Sequence, residues 1–305
     1  MAEFEDGKSE VTSLARQRGW REALAEQFGA AEYLTDPRRG IFLDLLPIRD
    51  ADVLEIGPGF GQFTDRIARL AKSVQALEVD GDQADFIREK LRQEDIRNTV
   101  VTTGGEDCRL PYPDNSFDLV ILNLVFEWCA TRLTEPHEQA QRRLLNEIAR
   151  VLRPGGGLYL STKNRFALRY LMGKHDEHYH DMRFGSALPR WLADRLHGRR
   201  SRGRLYSWSG IQRLLRESGF EVERSWWAAP EMRFPDEMIP TDSQSIRAAR
   251  RRGVKQTNGR AERLIMPLLP AWLVKHVAPG LSFFARATKS TGRPPGQAAA
   301  RATTP

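Results

Sequence analysis

The sequence predicts an α/β fold, a mostly parallel sheet with helices on both faces and a ligand site at the carboxyl ends of its strands. Three observations carry this. The apolar run Val53-Leu54-Glu55-Ile56 passes directly into the side-chain-poor loop Gly57-Pro58-Gly59-Phe60-Gly61. Further on, Val74-Gln75-Ala76-Leu77-Glu78-Val79-Asp80 reads as a second strand ending in carboxylates. Strand-like and helix-like stretches then alternate as far as the fifth strand.

Taken in order, residues 11–46 read as helical, with Trp20, Leu24, Phe28 and Leu34 near a 3.6-residue spacing and Asp36-Pro37 as the start signal of a second helix. The strand at 53–56 leads into the glycine loop. Glycine tolerates positive φ and has no Cβ, so a ligand can lie against this turn while a helix over 62–71 points its N-terminus at it. Glu55, just ahead of the glycines, is placed to accept hydrogen bonds from a cationic ligand. The dinucleotide fingerprint G-x-G-x-x-G is not met, because its third glycine would fall at Gln62. A carboxylate ending the second strand can take both hydroxyls of a ribose. A third strand at 99–103 leads to the acidic turn Gly105-Glu106-Asp107, and Leu110-Pro111-Tyr112-Pro113-Asp114-Asn115-Ser116-Phe117-Asp118 leads into a fourth at 119–122. A helix over 138–151 ends at Leu152-Arg153-Pro154-Gly155-Gly156, and a fifth strand occupies 157–162. After an irregular stretch, 164–205, Tyr206-Ser207-Trp208-Ser209 opens a helix through Glu217 with Gly219 as its C-cap. A sixth strand spans 220–227, a second irregular stretch 230–279, and a closing seventh strand 282–287.

This order of parts, with its LPYPDNSFD and LRPGG turns, resembles the class I S-adenosylmethionine-dependent methyltransferases, in particular their small-molecule branch, over roughly Asp36 to Phe220. The resemblance implies a Rossmann-like, seven-stranded, mostly parallel sheet with helical insertions over its C-terminal edge, and S-adenosyl-L-methionine as cofactor. It places the methionine part of the cofactor at Gly57, Gly59 and Gly61 and the ribose at Glu78. It gives the adenine amino group to Glu106 or Asp107, and lines the methyl-transfer site with Asn123 and Leu124. Many relatives carry aspartate where Glu106 stands, so the choice between the two acids stays open. Leading helices in this family fold over the cofactor, which makes Tyr33 and Arg38 candidates for a lid. On these terms the chain divides into a helical lid (1–46) and a cofactor-binding core (47–163, resumed at 206–229). Insertions at 164–205 and 230–279 surround the substrate, a closing strand (280–288) follows, and a tail (289–305) rich in Pro, Gly, Ala and Thr is expected to be disordered.

Composition agrees with an ordinary enzyme. A chain of 305 residues with 40% hydrophobic content has enough apolar material for one α/β core with elaborations. Two cysteines, Cys108 and Cys129, do not make a disulfide framework or a zinc site, so no metal is expected and a reducing, cytoplasmic compartment is. The acidic, polar start, Met1 to Ser9, does not read as a secretory signal, and no stretch of eighteen apolar residues offers a spanning helix. The excess of 47 Lys plus Arg over 40 Asp plus Glu is concentrated in 195–204 and 247–255. Such runs can neutralise phosphates of nucleic acid, an anionic membrane surface or a phosphorylated substrate, or can simply be a solvated arginine-rich surface. Aromatic residues are not interleaved with them, so nucleic acid is not an expected partner.

The densest titratable cluster is Lys174-His175-Asp176-Glu177-His178-Tyr179-His180-Asp181. A metal site, a solvated loop and a general base are the three readings of it, and His178, with His175 as substitute, is the candidate base for a hydroxyl acceptor. Asn123-Leu124-Val125-Phe126 lacks both prolines of the N-P-P-[FY] signature of amino-group methyltransferases. With Glu127-Trp128 it is instead similar to the N-L-V-L-E-H run of the small-molecule branch. Asn164-Arg165-Phe166-Ala167-Leu168, Arg183-Phe184-Gly185 and Leu188-Pro189-Arg190 resemble a bacterial subgroup linked to polysaccharide and specialised-metabolite clusters. The expected reaction is O-methylation of a small hydroxylated metabolite or glycosyl acceptor. N- or C-methylation, methylation of RNA or protein, and a cofactor-binding sensor module are the alternatives. The identity of the acceptor and the oligomeric state are not legible.

Overall fold

The computed structural model describes residues 8–29, 35–198 and 201–288. Tyr33, Leu34 and the tail at 289–305 therefore lie outside the described residues. The strands are β1 (Asp52–Ile56), β2 (Ser73–Glu78), β3 (Thr99–Thr103), β4 (Phe117–Asn123), β5 (Leu152–Lys163), the two-residue pair β6 (His175–Asp176) and β7 (Met182–Arg183), then β8 (Phe220–Ala229), β9 (Glu237–Pro240) and β10 (Gly280–Ala287). All but β6 and β7 form one sheet in the order β3-β2-β1-β4-β5-β10-β8-β9. The first five are parallel, with Val53 opposite Val74 on one side and Leu119 on the other. β10, β8 and β9 continue the sheet antiparallel.

The central strands are apolar on both faces because helices cover both, as parallel sheets require. Leu54, Val120, Leu122, Leu158 and Leu160 face the helices His137–Val151 and Trp208–Glu217, which contribute Leu144, Ile148, Ile211 and Leu215. Val53, Leu119, Ile121 and Tyr159 point the other way, into a core with Ile67 of the helix Thr64–Leu70 and Phe42. Phe42 stacks on Tyr159 with ring centroids 4.5 Å apart. It belongs to the segment Pro37–Leu45, where Asp36 caps as expected but the backbone is 3-10 rather than α-helical.

The helices Lys8–Arg18 and Trp20–Phe28 pack on the helix Gly81–Gln93, burying Val11, Ala15 and Leu24 with Phe60 and Phe86. The Trp20 indole N–H donates to Glu94 at 2.9 Å. Both stretches read as irregular contain regular pieces. The first carries the helix Arg190–His197, and the second carries helices at Ser243–Arg251, Arg260–Ile265 and Ala271–Val277. β9 makes the sheet eight-stranded where seven strands were expected. It is only four residues long and ends in Pro240, which an edge position tolerates because no further ladder bond is needed from its nitrogen.

Close packing between β5 and β10 supplies a test. A Cβ at Gly157 would lie 2.6 Å from Cε2 of the buried Phe284 ring. Gly157→Ala is expected to cost about 1–3 kcal/mol in urea unfolding, with part of the loss recovered by adding Phe284→Leu.

Candidate active site

In the order β3-β2-β1-β4-β5 the chain runs outward from β1 in both directions, so a crevice opens between the carboxyl ends of β1 and β4. The residues at this edge are the glycine loop after β1, Glu78 at the end of β2, Asn123 at the end of β4 and Lys163 at the end of β5. Gly57, Gly59 and Gly61 have φ of 67°, 60° and 68°, the left-handed region where a side chain is strained. At Gly57 space also forbids one, because a Cβ would come within 2.6 Å of Val125.

Glu78 is buried, and its carboxylate accepts from the Gly59 N–H at 2.9 Å and the Asp80 N–H at 3.1 Å. Burial raises its pKa against those backbone donors. Asp80 turns the other way and caps the helix at 81–93 through the N–H groups of Asp82 and Gln83. The cleft beside Glu78 has a volume of about 520 Å³, with an apolar floor from Ile56, Leu77, Leu110, Leu124 and Leu144 and with Glu106 at its rim. Asp107 is not part of this lining. It accepts from the Arg109 N–H and lies 3.6 Å from the Arg109 guanidinium. Glu55 is likewise absent from the lining. Its buried carboxylate accepts from the Thr64 hydroxyl at 2.6 Å, and burial pushes its pKa up to about 7.

Past the glycine loop the cleft continues into a second pocket of about 290 Å³, lined among others by Asn123, Leu124, Glu127, Trp128, Lys163 and Arg39. Leu124 holds a left-handed φ of 58°, fixed by its N–H donating to the carbonyl and hydroxyl oxygens of Ser161. That hydroxyl in turn donates to Asn123 Oδ1. Arg38, exposed, pairs with Asp36, whereas its neighbour Arg39 reaches this pocket. A third, outer pocket of about 230 Å³ shares Lys163, Glu177 and Arg233 with the second and adds Arg169, Lys174 and His175.

Glu127 is the residue that the sequence pattern did not single out. It is 0% exposed, and neither carboxylate oxygen has a hydrogen-bond partner. Lys163 pairs with Glu177, and burial pushes its pKa down to about 8, opposed by the field of Glu127. His178 is fully buried and lines none of the three pockets. Its Nδ1 lies 2.8 Å from Asp176 Oδ1, and its ring stacks under Trp128 at 4.3 Å between centroids. Trp128 thus stands between His178 and the pocket. His175 lines the outer pocket, with Nδ1 2.6 Å from the Asp181 carbonyl oxygen.

A crevice of this kind, with a strand-end carboxylate and an apolar slot, defines a nucleoside-binding α/β domain. Residues 54–160 match the family model described as a methyltransferase domain, and this stretch of the chain is a class I S-adenosylmethionine-dependent methyltransferase domain, with S-adenosyl-L-methionine as methyl donor. It is similar to the biotin biosynthesis bifunctional protein BioHC of Cellvibrio japonicus, 32% identical over 151 residues, which is 47% of this chain and 27% of that protein. It is also similar to the 27-O-demethylrifamycin SV methyltransferase of Amycolatopsis mediterranei, 32% identical over 144 residues, 46% of this chain and 48% of that one. The chain therefore spans between 27% and 48% of the length of these two relatives. The methyltransferase in a Haloferax volcanii complex with the Trm112 methyltransferase activator shares the fold, with a TM-score of 0.51 and 17% identity over 91% of this chain and 97% of that one.

The buried Glu55 makes stability depend on pH. Its folded pKa of about 7 lies above the ordinary 4.5, so its stabilising protonation is fully present below pH 4.5 and is lost as pH rises through 7. Glu55→Gln keeps an acceptor for Thr64 and removes the titration. Across that window the stability difference should move in favour of the variant by on the order of 3 kcal/mol in denaturant titrations at stepped pH.

Proposed function

We propose that the protein transfers a methyl group from S-adenosyl-L-methionine to a hydroxyl of a small metabolite or glycosyl acceptor. The observation that carries this reading is the buried, unpartnered Glu127 carboxylate in the pocket adjoining the nucleoside cleft. A desolvated carboxylate without a donor is costly, and a ligand that brings an O–H to it removes that cost. The residues present fit the cofactor. The left-handed glycines let a ligand approach the backbone, Glu78 keeps lone pairs free for ribose hydroxyls beside its two backbone donors, and Glu106 rather than Asp107 stands at the rim of the adenine slot.

When bound, the cofactor supplies an already activated methyl electrophile, so the chain need not provide a nucleophile. The protein's part is to align the acceptor, exclude water and receive a proton. Asn123 and Leu124 form the wall between cleft and pocket, Glu127 receives the acceptor's proton, and Lys163 and Arg39 orient polar groups around it. His178, held by Asp176, positions Trp128 as the apolar wall of the pocket. The oxygen in the name of the rifamycin relative's substrate agrees with a hydroxyl acceptor.

Removing a charged acceptor from a ribose contact costs affinity about ten- to a hundredfold. Calorimetry should show that loss for Glu78→Ala. Asp80→Ala should instead lower stability by about 1 kcal/mol through the lost cap, with affinity nearly unchanged. The opposite ranking would move the ribose contact to Asp80.

Chemistry is tested by incubating the protein with methyl-labelled S-adenosylmethionine and fractionated cell extract. Label is expected in a small molecule as a base-stable methyl ether. Glu127→Gln should lower the labelling rate by about 10² to 10⁴ with cofactor affinity intact, and His178→Gln by less. Label in RNA or protein, or cofactor binding with no labelled product, would overturn the reading.

A further inference from the structure

No helix among the described residues is long and apolar enough to cross a membrane. One face of the second insertion nevertheless has the chemistry of a membrane surface reader. Leu264, Leu268 and Trp272 are 74%, 81% and 61% exposed, the first two being the most exposed large hydrophobic residues described. They lie on three successive short elements, the helix Arg260–Ile265, the 3-10 turn Met266–Leu268 and the helix Ala271–Val277, with Arg260 at the start of the first. Their buried counterparts, Glu262, Met266, Ala271 and Val274, hold the segment to the body of the protein. The exposed side chains therefore point outward while the buried ones anchor the segment.

Charge says what covers it. Residues 241–279 carry eight Lys and Arg against two acids, Asp242 and Glu262. Asp242 is spent on capping the helix at 243–251, and Glu262 is buried against the Thr257 hydroxyl and lies 3.5 Å from Lys174. Arg247, Arg251, Lys255, Arg260 and Arg263 are exposed, and none of them is in an ion pair. Arg250 fastens the basic helix to the apolar segment by donating to the carbonyls of Met266 and Leu269, each at 2.7 Å. Leucine and tryptophan beside uncompensated arginines are the composition of an interfacial, anionic-lipid-binding face. RNA would leave the leucines unexplained.

We propose that this face, Leu264, Leu268 and Trp272 with Arg247, Arg251, Lys255 and Arg260, docks the protein peripherally on an anionic lipid bilayer. The apolar side chains enter the headgroup region and the basic ones meet lipid phosphates. Lys174, which lines the outer pocket, lies 3.5 Å from the buried Glu262 of this segment, so the segment is tied to that pocket's wall.

The test is co-sedimentation of the full chain with vesicles of phosphatidylglycerol and phosphatidylcholine, against phosphatidylcholine alone. Binding is expected to the anionic vesicles only and should weaken as salt rises. Arg247→Glu/Arg251→Glu/Lys255→Glu should reduce it by on the order of a hundredfold. Leu264→Ser/Leu268→Ser/Trp272→Ser should reduce it by at least about tenfold. Both variants should keep the far-ultraviolet circular dichroism and S-adenosylmethionine affinity of the wild type, because no altered residue lies in the cleft. Absence of wild-type binding at low salt, equal binding to both vesicle types, or serine variants that bind as well as wild type would each overturn the proposal. So would a wild-type dimer in light scattering that the serine variant disperses, which would assign the face to a second copy of the chain.

Discussion

The carboxylate of Glu78 is the constraint on which the site depends. A loop with three residues at positive φ has little intrinsic preference for one shape, and here the shape is selected by the bond from the Gly59 N–H to a charged acceptor in a buried place. Charge-assisted bonds of this kind are about twice as strong as neutral ones. The second oxygen takes the Asp80 N–H, so the ends of β1 and β2 are tied through one side chain. Asp80 then starts the helix at 81–93, and that helix carries the two N-terminal helices. Loop, strand end and the leading helices thus form one mechanical chain from an acid and its neighbour two residues on.

The two halves of the crevice are built on opposite principles. The first cleft is a mostly apolar slot whose single buried charge is hydrogen-bonded twice. The second pocket gathers the fully buried Glu127, the half-buried Lys163 and Glu177 and the exposed Arg233, with Asp176 and His178 behind Trp128. Buried charge rarely adds net stability, so such a group is retained at a cost that shape or chemistry must justify. The leading helices pack on the helix at 81–93 and against Phe60 of the glycine loop, and Arg39, from the same end of the chain, reaches the second pocket.

What could be read in the sequence was what local pattern encodes. The apolar runs at 53–56 and 119–122, the glycines, the strand-end acid at 78 and the cap at Asp36 all act within a few residues of themselves. Three kinds of feature escaped. β9 is four residues long with only Ile239 buried, too little for an alternation to show. Glu55 looks like a ligand group beside a glycine loop, and only the position of Thr64 nine residues on turns it inward. Glu127, Trp128 and His178 acquire their meaning from contact between residues some fifty positions apart, and from Gly203, where a Cβ would sit 2.9 Å from the His178 ring. A pattern of titratable residues at 174–181 announces chemistry without saying which members face a pocket. His175 does and His178 does not.

Gly57 and Val125 meet where the two directions of the sheet diverge, with no room for even one more carbon between them. They are joined by no hydrogen bond, yet each sets the largest size the other can have. Across descendants of this chain the two positions should drift as a pair. A bulkier residue at 57 becomes admissible only after 125 has shrunk, and a shrunken 125 leaves a hollow that selection would refill. The volume shared by these two side chains is therefore an inherited quantity, and the order in which mutations arrive at them decides which lineages keep a working crevice.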